Sequence, residues 1–297
     1  MTLPTKALIV VMASPFVALG LILISGRDGV LLGQIPVFDL CIAVAFLCQW
    51  LAFVPSYLYQ TEHYFDLSGS ATYISVATLA LVFGASGDPR SILLATLIMV
   101  WAIRLGTFLF SRVRKKGSDS RFVEILPSFR VNLLTWTLQA IWVSVTAACA
   151  LVAITSATKV PIDGWAILGL ILWCAGFAIE VIADHQKQVF RSKPENARRF
   201  ITTGLWAWSR HPNYLGEIML WTGVAVMALP VLQGWQFLTL MSPFFVYYLL
   251  TRVSGIEMQE RQNDKTWSSD PTYWRYKETT PALWPLTRIS GSQQSAL

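Results

Sequence analysis

Apolar runs long enough to cross a bilayer dominate this chain. They fall near residues 7–25, 36–59, 71–84, 90–111, 131–154, 162–183, 212–230 and 233–252. A run of about 20 apolar residues reads as a transmembrane helix. Lipid offers no partner to a backbone N–H or C=O, so a spanning chain must be helical or close into a barrel. These runs are too long and too continuously apolar for barrel strands. The expectation is an all-α, polytopic transmembrane helix bundle of seven to eight spans, forming a single integral membrane domain over 1–297. The run at 71–84 is short, and would be re-entrant or tucked inside the bundle. Only 13% of residues are charged, about half the share of a soluble domain. Lys6 precedes the first run, but no small-residue cleavage site follows it, so a retained helix is expected rather than a signal peptide. Cys41, Cys48, Cys149 and Cys174 all fall in apolar runs, form no C-x-x-C, and read as small core hydrophobes.

The net charge of +6 is unevenly placed. Most of the 23 basic residues lie on three segments. The loop 111–130 holds Arg112, Arg114, Lys115, Lys116, Arg121 and Arg130. The loop 184–212 holds Lys187, Arg191, Lys193, Arg198, Arg199 and Arg210. The segment after Thr251 holds Arg252, Arg261, Lys265, Arg275, Lys277 and Arg288. With eight spans all three fall on one side, while the opposite loops carry Arg27, Arg90 and Lys159. The positive-inside rule then puts the basic segments, the N-terminus and the 60–70 loop in the cytoplasm. Attraction to anionic lipid accounts for such loops without any ligand. A pocket for an anionic cytosolic ligand accounts for them equally. Nucleic acid is not an expected partner; membrane lipids are.

Ionisable groups within a bilayer are costly and usually mark function. Asp39, Arg104, Glu180, Glu217 and Glu257 lie in or at the ends of spans. Glu180, Asp184, Lys187 and Arg191 are spaced four, three and four apart, which puts them on one helix face. In "SRHPNYLGEI", Pro212 suits the first turn of a helix. Asn213 and Glu217 then share a face, and Gly216 admits a second helix or a flat ligand. The N–H groups at that helix start, with Arg210 beside them, favour a bound anion. In "QTEHYFDLSGS", Gln60, Glu62, Tyr64 and Asp66 crowd together, and a Glu beside a Tyr can hydrogen-bond a carbonyl and supply a proton. His63, His185 and His211 are too scattered to argue for a metal, and none is expected.

The run "EVIADHQKQVFRSKPENARRFITTGLWAWSRHPNYLGEIMLWTG", with "TEHYFDLSGS" and "WAIRLGTFLFSRV" upstream, resembles the bacterial membrane proteins related to steroid 5-alpha-reductase. The similarity covers roughly residues 100–285 and is most specific over Asp184–Glu217. It implies NADPH bound from the cytosolic side, in a pocket of the C-terminal half open to the cytoplasm. It also implies reduction of a C=C bond conjugated to a carbonyl in a hydrophobic small molecule drawn from the bilayer. Residues 1–90 would form the substrate side, 91–285 the cofactor-binding region, and 286–297 a flexible tail. The bacterial inner membrane is the expected location. The resemblance assigns cofactor roles to Asp184, Arg191, Asn213 and Glu217, and less closely to Glu180. Arg104 and Arg112 match basic positions after the fourth-helix motif, and Glu62 matches the Glu that faces the substrate carbonyl. Where the family has a Tyr three residues before Arg104, this chain has Trp101, so Tyr64 or Tyr73 would have to supply the proton.

Arg112, Arg191, Arg199 and Arg210 are expected to hold phosphates, with His211 and Tyr214 beside them. The C-terminal "GIEMQERQNDKTWSSDPTYWRYKETTPALWP" and the R-H-P-x-Y-x-G turn are also similar to isoprenylcysteine and phospholipid methyltransferases. The alternative is therefore an S-adenosylmethionine-dependent membrane methyltransferase, whose cofactor carries no phosphate.

Overall fold

The computed structural model describes residues 3–25, 29–84, 87–116 and 122–285. Arg27, Arg121, Arg288 and the expected tail 286–297 lie outside the described residues. Among the described residues the only strands form one short hairpin, and helices dominate the rest. Seven helical stretches among the described residues are long and apolar enough to cross a membrane, and the first helix adds a shorter apolar stretch, Val11–Ser25. This is the architecture of a multi-pass integral membrane protein. The elements group into two compact units, 1–167 with 224–242, and 168–223 with 243–297.

The first unit begins with α1 (Leu3–Ser25), a hairpin of β1 (Leu31–Leu32) and β2 (Ile35–Pro36), α2 (Val37–Tyr59), α3 (Phe65–Gly84), α4 (Pro89–Lys116) and α5 (Phe129–Thr155). At the hairpin turn Gly33 has φ +65°, a conformation that costs a glycine nothing. Val30 N donates to Thr155 O at 2.8 Å, so this corner is anchored to the end of α5.

α5 is the central helix of the unit and packs against α1, α2 and α3. Every residue from Thr146 to Thr155 is buried. That stretch is rich in alanine, and small side chains let neighbouring helices approach closely where lipid supplies no hydrophobic drive. The expected short third span is in fact a helix of 20 residues. It begins at Phe65, so Asp66, Leu67 and Ser68 belong to the helix and only 60–64 remain as a turn. The cause is local. Gln60 ends α2 in the left-handed region (φ 50°), its N–H bonded to Ser56 O, and Phe65 N donates to Glu62 O at 2.9 Å, opening α3 at once.

Arg90 looks in sequence like a topology marker, yet it is 1% exposed. Its guanidinium donates to Val160 O (3.1 Å), Pro161 O (2.6 Å) and Met227 O (2.7 Å) and pairs with Asp163 at 2.7 Å. Asp163 in turn accepts from Ala166 N at 2.9 Å, capping the next helix. One planar fork of donors thus satisfies two loop carbonyls and one near the end of a later helix, as buried backbone groups require. Removing the guanidinium strands carbonyl oxygens that it serves, each at about 1–3 kcal/mol. Arg90→Met is therefore expected to destabilise the protein by about 3 kcal/mol, measured by SDS-induced unfolding in micelles. A loss below about 1 kcal/mol, the scale of an exposed ion pair, would show that the pairing is dispensable.

Candidate functional site

The second unit is organised by α6 (Gly164–Ser192) and α7 (Pro212–Ala228). Gly176 and Gly216 meet backbone to backbone. A Cβ on either would lie 2.5 Å from the other's carbonyl oxygen, and a Cβ on Gly223 would lie 2.5 Å from Gly169 O. The partner that Gly216 admits is therefore the α6 backbone. A Cβ there would also lie 2.6 Å from Glu180 N. The contact brings the Glu180 backbone against the residue that precedes Glu217.

Glu180 is 2% exposed, Asp184 7% and Glu217 8%. Three carboxylates thus sit buried on two helices locked by glycine, with half-buried Asn213 and Tyr214 a turn nearer the start of α7. α6 remains helical through Arg191, as the spacing requires. Along its face the sequence Glu180, Asp184, Lys187, Arg191 passes from buried through half-buried to exposed. The Lys187 ammonium lies 4.4 Å from the centre of the Trp206 ring, and Trp206 Nε1 donates to Ala183 O at 3.0 Å. These contacts fold the segment after α6 back along the helix. Lys193, Arg198 and Arg199 remain exposed around a turn at Pro194–Asn196.

Arg210 and His211 stand just before α7, and their partners come from the C-terminal helices α9 (Ile256–Thr266) and α10 (Pro271–Thr279), which follow the short α8 (Ser242–Tyr248). Arg210 Nε donates to Glu260 at 2.8 Å, and its Nη1 donates to Lys277 O and Thr280 O. Arg210 N donates to Pro281 O at 3.0 Å. The arginine expected at a phosphate rim is instead engaged by the protein's own C-terminal segment. His211 Nε2 lies 3.3 Å from the same Glu260 oxygen, and its ring stacks on Tyr214 at 5.6 Å and 6°. Its Nδ1 is buried with no hydrogen-bond partner among the described residues. Burial holds this imidazole below its usual range, against the opposing pull of Glu260, and Lys187 and Arg210 add to the lowering. Sequence reading missed Glu260 and weighed Glu257 instead. Glu257 is half-buried and pairs with exposed Arg252 and Arg261. The available signal was the acidic line Glu257, Glu260, Asp264 along one face of α9.

The remaining expected residues lie in the first unit. Glu62 is buried, in the turn ahead of α3. Tyr64 is exposed and stacks on Phe110 at 6.0 Å. With Thr61, His63 and Arg114 these two rings line a hollow of about 530 Å³. Trp101 is buried edge-on against Tyr73, ring centres 5.1 Å apart. The indole in the family's Tyr position and the Tyr offered as its substitute are thus one packed pair. Arg104 lies 5.2 Å over the Phe108 ring, and Arg112 is exposed.

A family model described as a protein of unknown function (DUF1295) matches residues 52–280. An uncharacterized protein of Schizosaccharomyces pombe is 26% identical over 162 residues, covering 44% of this chain and 46% of that protein. The chain thus spans about half the length of this curated relative. No solved structure matches.

The lowered His211 gives a pH signature. The unfolded chain takes up a proton near pH 6.5, whereas the folded imidazole does so only at lower pH. Between those values the unfolded state binds more protons, so stability falls as pH drops below about 6.5. The melting temperature of the parent is expected to fall more between pH 7.5 and 5.5 than that of His211→Asn. Parallel curves would remove His211 from the titration.

Proposed function

We propose, for a chain that belongs to the DUF1295 family of proteins of unknown function, an NADPH-dependent reductase. Its substrate is a lipid-like molecule of steroid or isoprenoid type, and the bond reduced is a C=C conjugated to a carbonyl. The observation that carries this reading is the buried row Glu180, Asp184 and Glu217, which runs into exposed Arg191, Lys193, Arg198 and Arg199. Carboxylates accept from the hydroxyl and amide donors of a dinucleotide, while arginines grip its phosphates with paired N–H groups. The buried lone Nδ1 of His211 supports the same fit. Bound NADPH supplies the hydride; the chain supplies position and field.

In this reading Asp184, Asn213 and Glu217 fix the sugar or the carboxamide, and Arg191 with Arg199 neutralises phosphate. Glu62, buried beside the start of α3, acts in its acid form, its O–H donating to the substrate carbonyl and drawing charge onto that oxygen as hydride reaches the β carbon. Tyr64 delivers the proton that ends on the α carbon. The bias of basic residues supports a cytoplasmic mouth; the bacterial inner membrane remains the proposed location.

One observation favours the S-adenosylmethionine methyltransferase reading: Glu260 and the C-terminal carbonyls take Arg210 away from any phosphate. Melting of the detergent-purified protein separates the two. NADPH at 100 times its Kd should stabilise by about 2.7 kcal/mol. Stabilisation by the methyl donor and not by NADPH would replace the first reading with the second. Glu217→Ala and Arg191→Ala are each expected to weaken NADPH binding about tenfold, the loss of one charge-assisted hydrogen bond. Two variants that melt and bind like the parent would dissolve the site.

A further inference from the structure

Glu260 accepts from Arg210 Nε and Nη2, both at 2.8 Å, and lies 3.3 Å from His211 Nε2. An ionised carboxylate has acceptors only. A neutral imidazole facing it must therefore carry its proton on Nε2 and present Nδ1 as a bare lone pair. His211 is 3% exposed, and its Nδ1 has no hydrogen-bond partner among the described residues. Leaving a buried acceptor unsatisfied is costly, and here that cost falls one residue before the N-terminus of α7. The ring cannot turn freely to escape it. Tyr214 covers one face at 5.6 Å, and the Tyr214 hydroxyl is itself held by Gln259 of α9. The C-terminal helices thus grip the imidazole through its Nε2 edge and through its stacking partner.

We propose that Glu260 is a positioning residue that fixes the Nε2–H tautomer of His211, so that Nδ1 accepts a hydrogen bond from an N–H or O–H donor of the bound cofactor. The donor is a carboxamide N–H or a sugar hydroxyl. This inference rests on the NADPH reading for its ligand, but its tautomer does not. In Glu260→Gln the side-chain amide offers an N–H to Nε2 and lets the proton move to Nδ1, which turns the acceptor into a donor.

The tautomer is read from imidazole 15N chemical shifts of the full-length protein in micelles. The expected signature is a protonated Nε2 and a bare Nδ1 in the parent, shifting toward protonated Nδ1 in Glu260→Gln. A parent with protonated Nδ1 overturns the proposal whether or not any cofactor binds. For ligand contact, an asparagine amide reaches the place of Nδ1 and a glutamine amide that of Nε2. His211→Asn should keep NADPH affinity within about threefold of the parent, and His211→Gln should lose about tenfold, one hydrogen bond. The reverse order would mean that only the Glu260 contact matters and would overturn the ligand role. The 3-acetylpyridine analogue of NADPH, which lacks the amide donor, identifies the source. A His211→Gln loss seen with NADPH and absent with the analogue assigns the carboxamide; an equal loss with both assigns a hydroxyl. A parent that binds neither NADPH nor the analogue ends the reductase reading, while the 15N result still decides the tautomer.

Discussion

The contact of α6 with α7 is made by backbone, and the proposed site depends on it. Gly176 and Gly216 leave no room for a side chain between the helices. In lipid such closeness stands in for the hydrophobic drive that joins helices in water. It also sets chemistry. Glu180 lies one turn beyond Gly176 and Glu217 one residue beyond Gly216, so the same approach that joins the helices gathers the buried acids. A methyl group at either glycine would press on carbonyl oxygen and separate them.

The basic residues divide by what they touch. Arg90 is consumed by carbonyls and Asp163, and Arg210 by Glu260 and the C-terminal carbonyls. Both are structural forks with their donors occupied. Lys193, Arg198 and Arg199 stay exposed. A positive charge count alone does not distinguish these groups, because an arginine serving backbone and one serving phosphate use the same planar geometry.

Much of the helix plan was legible in the sequence, because apolar runs of membrane length admit few structures. The α6 stripe was legible as well, since its spacing of four, three and four requires only that the helix continue past the apolar run. The start of α3 was not, because the polar residues of "TEHYFDLS" mimic a loop while local hydrogen bonds open a helix beneath them. The partner of Arg210 was hidden for a different reason. Glu260 lies 50 residues away, and no local pattern reports which acid on α9 turns inward. The Tyr73–Trp101 pair was equally invisible, although each residue was weighed separately. Periodicity gives the face of a helix but not what stands against it.

The stitching of Arg210 to residues 277–281 also sets an order of assembly. The arginine is synthesised well before the carbonyls that hold it. A chain stopped after residue 255 would carry all the helices up to α8, yet lack the acid and the carbonyls that seat the turn before α7. The turn that reads as a compact local motif is therefore completed only by residues 260–281. Biosynthesis leaves this corner until after α8, and a chain stopped there would have those helices without it.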